Sequence, residues 1–161
     1  MALYATNGAK LHIGGALAQK STDFVQADFT SQVWTEIHEL ESLGTVGDTA
    51  SEVSIDIIGE ARTKRLKGTR NAGTMEVVCG LDPADTGQTA AVAAEKTILD
   101  YAFKLVLNDA PAGGTPSERY FIAKVSSAAE VFDSANSVTK LQLSLWVNSN
   151  VVKVNAAPGG G

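Results

Sequence analysis

From Val53 onward the chain repeats one pattern: apolar side chains at every second position, in separate short runs. A period of two puts alternate side chains on opposite faces of an extended strand, so such a chain must build sheets with one face covered. Val53, Ile55 and Ile57 alternate with Ser54 and Asp56. Met75, Val77 and Cys79 alternate with Glu76 and Val78, and Tyr101, Phe103, Leu105 and Leu107 face away from Lys104. Phe121, Ala123 and Val125 alternate with Ile122 and Lys124. The longest clean run sets Thr139, Leu141, Leu143, Leu145 and Val147 against Lys140, Gln142, Ser144 and Trp146. Earlier in the chain, Trp34, Ile37, Leu40 and Leu43 recur at every third position, a spacing that suits a helix or a strand. The opening Val33-Trp34-Thr35 and the closing Gly44 favour a strand with a bulge. Lys10 to Ile13 reads as a short strand before a Gly14-Gly15 turn, and Asp23 to Phe29 as a further extended piece.

One segment departs from the period. Residues 86–98 are rich in alanine and predict a helix, with Thr86 at its cap and Ala90, Ala94 and Ile98 as a thin apolar stripe. Asp82 and Asp85 flank Pro83 just before it, where turn and cap duties account for both. Strands do not alternate with helices, which excludes a doubly wound α/β fold. The expected architecture is mainly β: a β-sandwich or barrel of two packed antiparallel sheets with one flanking α-helix. Glu60 to Gly73 and Ala110 to Glu118 read as loops. Residues 1–155 are expected to form one domain and residues 156–161 a flexible C-terminal tail. The length of 161 residues suits a single core.

Chemistry is harder to find. Thirteen Lys and Arg against eighteen Asp and Glu leave a net charge of −5, too acidic for a protein built to grip phosphates. Cys79 is the only cysteine, so it cannot form an internal disulfide, and His12 and His38 are too far from it in sequence for a zinc motif. Cys79 is expected in the core. His38 lies among Glu36, Glu39 and Glu41, but a site needs convergent ligands, and a solvated edge explains the cluster. The glycines at 14–15 and 44–47 lack both the lysine and the strand–turn–helix setting of a phosphate loop, and no Gly-x-Ser-x-Gly elbow occurs. No stretch has the roughly 18–20 apolar residues of a membrane span, and the N-terminus has no basic-then-apolar leader. Neither a cofactor nor a metal is expected, and the chain is not expected to be an enzyme.

The surplus charge falls in two groups. Arg62, Lys64, Arg65, Lys67 and Arg70 form a basic cluster with three readings: an ordinary solvated loop, direct contact with DNA phosphates, or contact with a neighbouring copy, which is the expectation. Glu36, Glu39, Glu41, Asp48 and Glu52 supply its acidic complement. Trp34 is expected in the core; Trp146, on the polar side of its strand, is the expected interface aromatic.

Taken in order, these features resemble the tail tube (major tail) protein family of long-tailed bacteriophages. The resemblance runs from Trp34 to Val152, about three quarters of the chain. It is carried by the Trp34–Ile37–Leu40 spacing ending in Leu43-Gly44 and by the strand Val53 to Ile57 with the basic segment that follows. Leu81-Asp82-Pro83-Ala84-Asp85-Thr86-Gly87-Gln88 ahead of the helix and the closing alternating strand complete it. The first thirty residues match no part of the family pattern. The resemblance implies a structural virion protein without catalytic residues. Its copies would form hexameric rings stacked into the hollow tail tube through which genomic DNA is delivered. It further implies as partners a tape-measure protein, a tail terminator, distal tail proteins and transiting double-stranded DNA held without sequence specificity. No membrane is involved, and assembly is expected in the host cytoplasm. Two rivals use the same β pattern. A carbohydrate- or host-binding β-sandwich of the tail tip or fibre would want more aromatics than the 6% present, and a small β-barrel hydrolase would need a nucleophile–base pair.

Overall fold

The computed structural model describes residues 3–159. Ten strands occur among them: β1 (Lys10–Ala16), β2 (Thr35–Ile37), β3 (Leu40–Ser42), β4 (Thr49–Ile55), β5 (Lys64–Asn71), β6 (Thr74–Gly80), β7 (Tyr101–Val106), β8 (Glu118–Val131), β9 (Lys140–Val147) and β10 (Val152–Val154). The one α-helix, α1, spans Thr86–Glu95. The protein is mainly β, with two antiparallel sheets and a single helix, as the alternation predicts.

The larger sheet has the strand order β2-β1-β7-β8-β9-β6-β3, with β10 added against β8. Its two outermost strands, β2 and β3, are consecutive halves of one segment. β2 pairs with β1 and β3 pairs with β6, so the sheet returns on itself as a barrel and keeps few open edges. The bulged strand expected over 33–43 is therefore two short strands. The break falls at His38-Glu39, where Glu39 takes φ 61°, a left-handed conformation that no continuing strand allows. The every-third spacing arises because the segment turns from one wall of the barrel to the other.

Inside the barrel, the predicted faces meet. Leu11, Ile13, Ile37, Met75, Val77, Cys79, Phe103, Phe121 and the β9 row Leu141–Leu143–Leu145–Val147 form one buried cluster. Phe103 and Phe121, cross-strand partners, stack with centroids 5.7 Å apart. A second, smaller cluster lies outside the barrel. The chain between β1 and β2, which includes a 3-10 turn at Gln26–Phe29, sets Phe24 and Phe29 over Ala102, Tyr120 and Ile122. Trp34 adds to its rim at half-buried depth, 5.9 Å from the Tyr120 ring. This explains why Ile122 is buried although it alternates with the core: β8 is covered on both faces here.

Several local expectations change. β1 continues through Gly14 and Gly15 to Ala16, with a register shift after Ile13, because the Gln32 side chain accepts the Gly15 N–H at 2.7 Å in place of a strand neighbour. Asp23 to Phe29 is not extended throughout but ends in the 3-10 turn. Glu60 to Gly73 is not a loop: most of it is β5, paired along its length with β4. The tail expected from 156 is held at its start, where Thr115 and Ala157 exchange backbone hydrogen bonds of 2.9 and 3.1 Å. Residues 160–161 of that tail, and residues 1–2, lie outside the described residues.

Candidate assembly surface

The helix shows how the body closes. Asp85, not Thr86, is its cap: one carboxylate oxygen accepts the Gln88 N–H at 3.0 Å. The same carboxylate accepts the His38 backbone N–H at 3.2 Å and meets the His38 ring nitrogen Nδ1 at 2.6 Å. Gln88 then donates to the carbonyls of His38 and Gly80 and accepts the Asp82 N–H. The helix start is thus bolted to the kink where the barrel closes. Gly87 is required here, since a Cβ would overlap the Glu36 carbonyl. The buried helix face is Gly87, Gln88, Ala91 and Ala94; Ile98, expected on the stripe, lies beyond the helix and is exposed. The acidic setting around His38 is therefore a structural joint. The Asp85 hydrogen bond raises the His38 pKa above its ordinary 6.5, with Glu36 3.5 Å from the other ring nitrogen. Burial works against ionising Asp85, but the Gln88 and His38 hydrogen bonds carry its carboxyl below the usual range. Among the described residues no group of three or more His, Cys, Asp or Glu is placed to hold a metal, and no helix is long and apolar enough to cross a membrane. His12 sits opposite Glu36 and Lys104, and burial, above all, lowers its pKa. Cys79 is buried in the core, which pushes its thiol up to about 11.

The second sheet is the other half of the picture. β4 and β5 pair only with each other and form a hairpin of two strands. Directly paired residues share a face, so Val53, Ile55 and Leu66 lie on one side and Glu52, Ser54, Arg65 and Lys67 on the other. The apolar side is not covered: Val53, Ile55 and Leu66 are 51%, 55% and 64% exposed, and Ile58 in the turn is fully exposed. An isolated two-stranded hairpin is marginal in water, and an amphipathic one lacks the layer its apolar face is patterned for.

The predicted charges fall onto this hairpin and the kink. Lys64 pairs with Glu60 at 3.0 Å, Arg65 with Glu52 at 3.3 Å and Arg70 with Asp48 at 2.9 Å. Two of the five acidic candidates are thus matched to the basic cluster inside one chain, across the hairpin. Arg62, in the turn, and Lys67 have no carboxylate within ion-pair distance among the described residues. Glu36, Glu39 and Glu41 belong to the barrel closure, where Glu41 pairs with Lys140 at 2.9 Å. Trp146 lies on the outer face of β9 beside Thr74 and Lys124 and is 54% exposed. Sequence reasoning missed Val53 and Ile55 as surface residues, since their alternation is identical to that of a core strand, and it set Leu66 in a loop rather than on the apolar face of a hairpin strand.

This arrangement, a closed barrel with a helix bolted at its seam and a projecting hairpin, is the tail tube fold. No family profile matches the chain, and no curated protein matches it in sequence. Solved structures do. The tail tube of phage SPP1, from solid-state NMR and cryo-EM, superposes with a TM-score of 0.63 at 16% identity, covering 97% of this chain and 81% of that one. A chain of the PVC extracellular contractile injection system, from its sheath/tube terminator in the extended state, gives 0.66 at 10% identity over 96% and 98%. A chain of the anti-feeding prophage tube-terminating cap gives 0.66 at 13% identity over 96% and 93%.

Proposed function

We propose that the chain is a structural, non-catalytic subunit that polymerises into a phage tail tube, as hexameric rings stacked around a channel that passes double-stranded DNA. The observation that carries this reading is the uncovered apolar face of the β4–β5 hairpin, on a fold shared with tube proteins. A surface patterned for burial, offered by a projecting element with two open strand edges, calls for neighbouring copies. A contact between two different patches of the same chain repeats without limit unless its rotation closes, giving rings and filaments. The basic cluster then acts between subunits chiefly through Arg62 and Lys67, the two of its five cations without an ion pair among the described residues.

The open face of β6 and β9 is the candidate channel wall. It carries Thr74, Glu76, Val78, Gln142 and Ser144, with Lys140 at one end already paired to Glu41, so it offers no cluster of cations to hold a polyanion. The opposite wall, β7 with the first half of β8, is covered by Phe24 and Phe29 and suits the outside. Trp146, at the end of the open face, fits a boundary between subunits. A tape-measure protein, a tail terminator and distal tail proteins would complete the tail within the virion.

Negative-stain electron microscopy of concentrated protein tests the reading. Hollow tubes or six-fold rings are expected, and a chain with residues 49–71 replaced by a short turn should fold but stay dispersed. Tubes from the shortened chain, or only globular particles from the full chain together with its tail partners, would overturn it.

A further inference from the structure

We infer that the tip of the β4–β5 hairpin docks in the groove beside α1 of a second copy of this chain, an inference that rests on the polymerising role proposed above and names the receiving surface. The groove runs between the helix and β9, has a volume of about 340 Å³, and is lined by Leu81, Pro83, Val92 and Leu141. Its walls are mostly apolar, and Asp82, Glu130 and Lys96 stand among its lining residues. The tip offers matching chemistry. Ile57 and Ile58 head the hairpin, Ile58 fully exposed, and Arg62 follows in the same turn. Neither Asp82 nor Glu130 forms an ion pair among the described residues, and neither does Arg62.

Each half of this contact is incomplete alone. The hairpin does not fill its own groove: Ile58 is fully exposed, with nothing among the described residues covering it. A larger crevice at the hairpin base, of about 680 Å³, is a poorer receptor: it holds Arg70, Arg119 and Lys153, and one of its carboxylates, Asp48, is already engaged by Arg70. Lys64 is paired with Glu60 at the tip, so Arg62 is its cation without an ion pair among the described residues; that charge is repelled at the base crevice and drawn to the carboxylates beside α1. Tip and groove are different patches, so every copy has one to give and one to receive, and the contact propagates.

Cross-linking between single cysteines tests the pairing. Ile58→Cys and Ala93→Cys place thiols on the tip and on the groove wall, and both parent residues are exposed. Cys79 stays silent because it is buried and its thiolate is suppressed. With a short bismaleimide, the two variants mixed should give a heterodimer several-fold above either homodimer, and the double variant should give a ladder of covalent oligomers. Adding Arg62→Glu to the double variant should cut the ladder several-fold. Tubes by electron microscopy without a ladder would overturn the docking and leave the tube reading standing. A ladder without hollow tubes would keep the contact and remove that reading. Dispersed particles and no cross-link would sink both.

Discussion

β4 and β9 carry the same alternation and meet opposite fates. In β9, Leu141, Leu143, Leu145 and Val147 are all buried, because β8 and β6 flank the strand and the barrel wall opposite supplies a second layer. In β4, Val53 and Ile55 have only β5 beside them and no layer across from them. Period two therefore states that one face of a strand is to be covered; it does not state by what. In the barrel the cover comes from the same chain. On the hairpin, half-exposed aliphatic side chains leave roughly 1 kcal/mol apiece to be gained when a neighbour covers them. The sum is modest for a single contact.

The difference is sharpest when a carboxylate is placed in each strand. Leu143→Asp is expected to unfold the subunit, since an unpaired charge in the core costs several kcal/mol against a total stability of about 5–15 kcal/mol. Ile55→Asp should leave the melting temperature of the dispersed subunit within a few degrees of the parent, yet abolish assembly. Circular dichroism melts paired with sedimentation read both effects. A folded Leu143→Asp would mean that the strand register is wrong, and a strongly destabilised Ile55→Asp would mean that the hairpin face is covered within the chain after all.

A smaller effect belongs to the bolt at the barrel seam. His38 has its pKa raised by Asp85, so the stabilisation it gives is complete below about 6.5 and is lost as pH climbs through the raised value. Asp85 has its pKa lowered, so its share is present above the ordinary carboxylate value of 3.8 and disappears only as pH falls through the depressed one. Every other group facing the ring, Glu36 and Glu39 among them, is an acid and favours the charged imidazole. The His38 share of the thermal midpoint should therefore decline from mildly acidic to alkaline pH, against the opposite trend that the lowered pKa of His12 contributes, and His38→Gln should remove that decline while leaving assembly intact. Parallel pH profiles for parent and variant would show that the joint does not depend on charge.

Much of the body was legible in the sequence because a barrel makes each strand obey one local rule. Leu143 and Phe121 have a face to fill, and their neighbours announce it. The kink at His38-Glu39 was not legible as a kink, because its every-third spacing is the trace of a strand passing from one wall to the other, a tertiary event. The helix start offers two good caps, Asp85 and Thr86, and the structure uses Asp85, whose carboxylate also meets His38, 47 residues away. β5 was hidden by composition. Its Lys, Arg, Thr and Asn residues mimic a loop, and only pairing with β4 makes it a strand. The same feature that concealed β5, the lack of a core to join, is what leaves its apolar side chain Leu66 exposed.

The smallest expected effect decides what the charges on that surface are for. Arg65 and Glu52 face each other at 3.3 Å with both side chains more than half exposed, a setting in which an ion pair contributes about 0.2–1 kcal/mol at most. If the pair serves only the hairpin, Glu52→Ala and Arg65→Ala should lower its stability equally, and the double variant should cost no more than either single change. If Arg65 turns to a neighbouring copy during assembly, the symmetry breaks: Arg65→Ala should slow tube growth, whereas Glu52→Ala, by freeing the cation, should leave growth unchanged or speed it. A double-mutant cycle on subunit melting, run beside light-scattering growth curves at low and high salt, separates the two. Equal effects on growth would confine the basic cluster's outward role to Arg62 and Lys67. Unequal ones would make the hairpin's internal pairs a reserve of charge exchanged for intersubunit contacts as the tube forms.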